Sequence, residues 1–184
     1  MNYPEFVDDY NIKLCQVCAM ISFRRLEMQK PKFSMIHTDE AMWELVSKTD
    51  QKTLAVWASD CVERVMPYFE KKYPQDHRPR NALQTLQTWM QTGVFKMAVI
   101  RKASLDSHAA AREVGEDSPA RSVARAAGQA VATAHVPTHA LGAAMYALQA
   151  IHRATNPADA GTAVAKEQDW QYQHLLALRD SLIF

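Results

Sequence analysis

Glycine is scarce in this chain, five residues among 184, and so is cysteine, with three. An all-β fold draws heavily on turn glycines, so the first shortage points toward helices. Cys15, Cys18 and Cys61 are too few, and odd in number, for a disulfide framework; they suit the reduced thiols of a cytosol. The stretch from Met1 to Asp9 is acidic where a signal peptide is basic and then apolar. No uncharged apolar run approaches the roughly 20 residues of a membrane span. A cytoplasmic protein without a membrane partner is the expectation.

An excess of charge is also missing, because 21 basic residues face 20 acidic ones. A general nucleic-acid binder needs a dominating basic field, so no nucleic-acid partner is expected. A decoy for a basic nuclease would be strongly acidic, and this chain is not. A P-loop, a dinucleotide-binding glycine pattern, a nucleophile-elbow serine and a deaminase zinc motif are all absent. The easily recognised enzymes go with them, and no cofactor is expected.

What is present is helical spacing along almost the whole length. With 48% hydrophobic and 22% charged residues, 184 residues suffice for one domain with a real core. The expected fold is all-α, a single domain over 1–184 built as an array of about eight helices with mostly antiparallel neighbours. Leu14, Val17, Cys18, Ile21 and Met28 make one stripe ending before Pro31, and Thr38 can cap a short second helix with Met42, Leu45 and Val46 inward. Asp50 caps a third, carrying Leu54, Trp57, Ala58, Cys61 and Val65 and kinked at Pro67. Asp76 caps a fourth, with Pro79 in its first turn and Gly93 in the left-handed position at its end. A fifth runs from about Val94 to Val114, Ser118 and Pro119 open a sixth, and Pro137 breaks the run to give a seventh through Arg153. Asn156 and Pro157 precede the last, with Tyr172, Leu175, Leu176, Arg179 and Leu182 at helical intervals.

The most informative series is Arg121, Arg125, Gly128, Ala132, His135, His139, Gly142 and Tyr146. Its steps of three and four trace one face if the two helices stay roughly collinear through Pro137, and the small residues on it admit close approach of another backbone. His135 and His139 stand four apart, a spacing at which two imidazoles can share a metal. Pro137 between them and the missing metalloprotease glutamate leave them weak metal candidates, read first as register-holding histidines. Arg101, Leu105, His108 and Arg112 share a face of the fifth helix, while Asp60 and Glu63 lie beside Trp57 on the third, next to Arg64. A buried arginine must be paired, so Asp60 or Glu63 with Arg101, His108 or Arg112 forms either an internal network or the floor of a polar pocket. The pair Cys15 and Cys18 sits inside an apolar helical stripe and lacks the strand of a redox motif or further zinc ligands, so buried thiols are the reading.

These blocks carry a resemblance. Leu54 to Glu70, Asp76 to Arg80, Ser107 to Arg112 and Ala134 to Tyr146, in that order, resemble the Imm-five-like immunity proteins of bacteria over about residues 54–150. Residues 1–50 and the C-terminal helix, 157–182, fall outside the match. The resemblance implies a non-enzymatic protein that neutralises a cognate toxin by binding it. The alternative is a small helical enzyme, or a ligand- or metal-binding protein, using the polar groups of Trp57, Asp60, Glu63, His108, His135 and His139. Small-residue faces also leave a homo-oligomer open.

Overall fold

The computed structural model describes residues 40–115 and 118–181. The stripe from Leu14 to Met28, the Cys15 and Cys18 pair, the Thr38 cap and Leu182 lie outside the described residues. The described part is all-helical: α1 Glu40–Ser47, α2 Gln51–Val65, α3 Pro67–Glu70, α4 Arg78–Thr92, α5 Met97–Glu113, α6 Pro119–Ala132, α7 His139–Ala154 and α8 Ala160–Asp180. Setting aside α3, a single turn that continues α2, seven helices are described where about eight were expected along the whole chain. No strand occurs among the described residues.

The starts and stops follow local chemistry. Asp50 is extended, and its carboxylate accepts from the N–H groups of Lys52 and Thr53, which have no partner inside the helix. Pro67 interrupts the hydrogen-bond ladder and separates α2 from α3. Gly93 closes α4 at φ +67°, donating its N–H to Trp89 O at 2.8 Å. Two expected boundaries move. The cap of α4 is His77 rather than Asp76, whose carboxylate instead accepts from the Arg78 N–H and guanidinium. The fifth expected helix begins at Met97 rather than Val94, because Lys96 is extended at φ −129°, ψ 102°.

The larger correction concerns α6 and α7. They are not collinear through Pro137; the chain turns over Thr133 to Thr138 and α7 packs back on α6. The N–H groups of His135 and Val136 both bond Ala132 O, closing the end of α6, and Gln51 Nε2 ties the corner by donating to Thr133 O at 2.9 Å. The register is antiparallel: Gln129 meets His139 near the turn, while Ser122 meets Gln149 and Arg153 at the far end. Alanine builds this seam, with Ala120, Ala124, Ala127 and Ala130 buried on α6 and Ala140, Ala143, Ala144 and Ala147 on α7. Around it α5 and α4 pack on α6, and α2 packs on both seam helices. Trp57, Phe69, Leu54, Met66, Leu83, Leu86 and Leu175 supply the large buried side chains that the seam lacks.

Candidate functional site

Two serines seat α5 on α6. Ser104 Oγ donates to Gly128 O at 2.9 Å and Ser107 Oγ to Ala124 O at 2.7 Å. One helical turn beyond Ser104, His108 lays its ring against Gly128. A Cβ at that glycine would stand 2.8 to 3.0 Å from three ring atoms, so the ring occupies the space a side chain would take. Gly142 does the same for Gln129, whose Oε1 would lie 2.9 Å from a Cβ there. The glycines therefore admit side chains rather than the neighbouring backbone that their spacing suggests.

Gln129 in turn holds His139, with Oε1 and Nδ1 2.6 Å apart. An amide oxygen only accepts, so Nδ1 carries the proton and, in the neutral ring, Nε2 presents a lone pair. These contacts wall a cavity of about 380 Å³. Met97, Ile100, Arg101, Ser104, Leu105 and His108 line it from α5, Gln129 and Ala132 from α6, His135 from the turn and His139 from α7. Four residues singled out from the sequence, Arg101, His108, His135 and His139, are thus brought together.

Burial pulls the His108 imidazole from its ordinary 6.5 down to about 4, with Arg125, Arg112 and His139 opposing its charge further. Burial also lowers His139, aided by His135. Both rings are neutral near pH 7. His108 Nδ1 is buried and has no hydrogen-bond partner among the described residues. No Asp or Glu lines the cavity.

The other half of the expected cluster lies elsewhere. Trp57 is a core residue whose indole N–H donates to Gln171 O at 2.8 Å. Asp60 pairs with His174, Glu63 with Arg80, and Arg64 makes a bidentate contact to Glu167 while lying 3.9 Å over the Trp170 ring. The expected pairing of Asp60 or Glu63 with Arg101, His108 or Arg112 does not form, because α2 turns that face toward α4 and α8. Tyr146 is half-buried against the core rather than in the cavity, and Arg112 stands outside the lining. Cys61 is a buried thiol whose pKa burial pushes up, as do the nearby Glu167 and Asp60 carboxylates.

Gln129 and Ser104 escaped the sequence reading because an uncharged polar residue on a helix carries no motif. The surface beside the cavity escaped it too. Val94, Phe95, Met97, Val99 and Leu105 are five of the seven large exposed hydrophobics among the described residues. They cluster between residues 94 and 105 as an apolar ridge, along which Met97 and Leu105 line the first cavity and Val94 and Val99 a second of about 300 Å³, lined also by Thr85, Thr88 and Trp89. Ile100 lines both. Among the described residues no group of three or more His, Cys, Asp or Glu could hold a metal ion, and no helix is long and apolar enough to cross a membrane.

Compared with known proteins, residues 44–178 match one family model, described as Imm-5 like putative immunity protein. The match takes in every helix from the latter half of α1 to nearly the end of α8. No curated protein and no solved structure matches the chain.

Proposed function

The chain belongs to the Imm-5-like immunity proteins, and from that premise we propose that it neutralises a cognate protein toxin by binding it, without catalysis. The observation that carries the reading is the apolar ridge from Val94 to Leu105. A contiguous apolar surface rimmed by polar residues is what a partner desolvates. Here Phe95, 44% exposed, and Val99, 50% exposed, belong to it, and the exposed cations Lys96 and Arg101 stand among them in sequence. The adjacent histidines favour recognition over chemistry. Ser104, the one hydroxyl lining the cavity, donates to Gly128 O instead of to a histidine. On this reading the toxin is met in the cytoplasm.

The test is to co-express the protein with the toxin encoded beside it, scoring survival and recovering the complex. Protection together with a stoichiometric complex, both abolished by Phe95→Asp and Val99→Asp, is the expected result. Neither protection nor a complex would end the reading. Sedimentation of the protein alone detects the competing use of the same ridge, association of two copies through it. A dimer that the ridge variants dissolve would reassign the surface.

A further inference from the structure

The cavity between α5, α6 and α7 has a composition that toxin binding does not require. Its volume, about 380 Å³, sits at the lower end of the roughly 300 to 1,000 Å³ usual for small-molecule sites. One part of its wall is apolar, from Met97, Ile100, Leu105 and Ala132; the other is polar, and all of its ionisable groups are bases. Arg125 and Arg112 stand close enough to His108 to oppose its protonation, so the surrounding field is positive as well. Three arginines elsewhere are taken up by carboxylates: Arg64 holds Glu167, Arg78 holds Asp76 and Glu113, and Arg80 holds Glu63 and Glu70. Arg101 has no such partner among the described residues. His108, another lining residue, leaves its Nδ1 buried beside Gly128 without a hydrogen bond.

We propose that this cavity binds a small organic monocarboxylate, its carboxylate on the Arg101 guanidinium and its apolar body against Met97, Ile100, Leu105 and Ala132. The planar guanidinium fork matches a carboxylate in a bidentate manner. A single lining arginine beside neutral imidazoles suits one negative charge, whereas a phosphate dianion asks for more fixed positive charge. The positive field of Arg101, with Arg112 and Arg125 near His108, raises the local concentration of such an anion. His139, whose Nδ1 is committed to Gln129, keeps its Nε2 lone pair for a donor on the ligand. The proposal is independent of the toxin reading, since it needs no partner protein.

Titration of the full-length, nitrogen-15-labelled protein with benzoate, phenyl phosphate, benzyl alcohol and benzylamine tests it, followed by amide chemical shifts. Benzoate is expected to give saturable shifts confined to residues 97–108 and 128–142, and to bind at least about tenfold more tightly than the neutral and cationic probes, the margin for one charge-assisted contact. Arg101→Met is expected to remove most of that margin. Lys102→Met, the next residue but outside the cavity lining and paired with Asp106, is expected to leave it intact. Because Arg101 is exposed, the spectrum of the Arg101 variant without ligand reports directly that the fold is retained. Benzyl alcohol binding as well as benzoate, phenyl phosphate binding more tightly than benzoate, or the absence of saturable shifts would each overturn the proposal.

Discussion

At the scale of single residues, Gly128 is where the candidate site and the fold meet. An alanine in mid-helix is intrinsically better than glycine by about 1 kcal/mol. Here its Cβ would collide with the His108 ring, and overpacking costs roughly 1 to 3 kcal/mol. Gly128→Ala is therefore expected to destabilise the protein, and the same change in a His108→Ala background to stabilise it. Urea unfolding of the four proteins of that cycle measures the sign reversal; stabilisation by Gly128→Ala in both backgrounds would contradict the contact.

His108 also has a signature in pH. Its folded pKa, about 4, lies below the ordinary 6.5, so the unfolded chain binds the proton more readily. Stability is full above pH 6.5 and is lost as the pH falls from 6.5 toward 4. His139, also lowered, adds a loss of the same sign. The carboxylates with lowered values, Asp50 and Asp76 among them, act further down, below about pH 4. Between pH 6.5 and 4 the melting temperature of His108→Ala is expected to fall less steeply than that of the parent, and parallel slopes would refute the assignment. At this scale the sequence was partly legible. Asp50 and Gly93 announce caps through side-chain chemistry and backbone freedom that act within a few residues. What fills the space beside Gly128 and Gly142 depends on a second helix, so spacing along one helix could not reveal it.

Among the elements, α8 is attached differently from the rest. Its buried residues include Glu167 and Gln171 as well as Ala160 and Leu175, so polar contacts do much of the docking. Gln171 O accepts from Trp57 on α2, and Gln171 Nε2 donates to Ala144 O on α7 at 3.2 Å. Glu167, with its side chain 6% exposed, depends on Arg64, 43% exposed. Losing the cation strands a buried carboxylate, whereas losing the carboxylate leaves an exposed guanidinium still resting on Trp170. Arg64→Ala is expected to cost roughly 1 to 3 kcal/mol, below the figure for a fully buried pair because Arg64 is partly solvated. Glu167→Ala is expected to cost less, and denaturant midpoints in the opposite order would count against the account. The helices themselves were readable from periodicity and breakers. The fold-back of α7 on α6 was not, since steps of three and four continue across Pro137 whether the two helices are collinear or folded together.

For the whole molecule, the question is which faces converge. Trp57, Asp60 and Glu63 were grouped with Arg101 and His108 on residue type alone, yet helix packing sends the first set toward α4 and α8 and the second toward α6 and α7. Polar residues on different helices carry no mark of which neighbour they will meet. The family resemblance, legible in the sequence over about residues 54–150, extends through 44–178 and so takes in part of α1 and most of α8. The ridge yields the prediction proper to this scale. Phe95 and Val99 are about half exposed and stand outside the core cluster, so each change to Asp is expected to cost about 1 kcal/mol or less. Partner binding should nevertheless be lost, which calorimetry and pull-down together can separate from misfolding.

The connection from Gly93 to Lys96 carries one further consequence. Its residues are all exposed, and Val94, Phe95 and Lys96 belong to no helix. New side chains there disturb neither the alanine seam nor the cap at Gly93. If the ridge meets a toxin as proposed, a lineage facing a changing adversary can rewrite that surface letter by letter while inheriting the scaffold unchanged, and a laboratory library randomised at 94, 95, 96 and 99 would sample new specificities from a population that still folds.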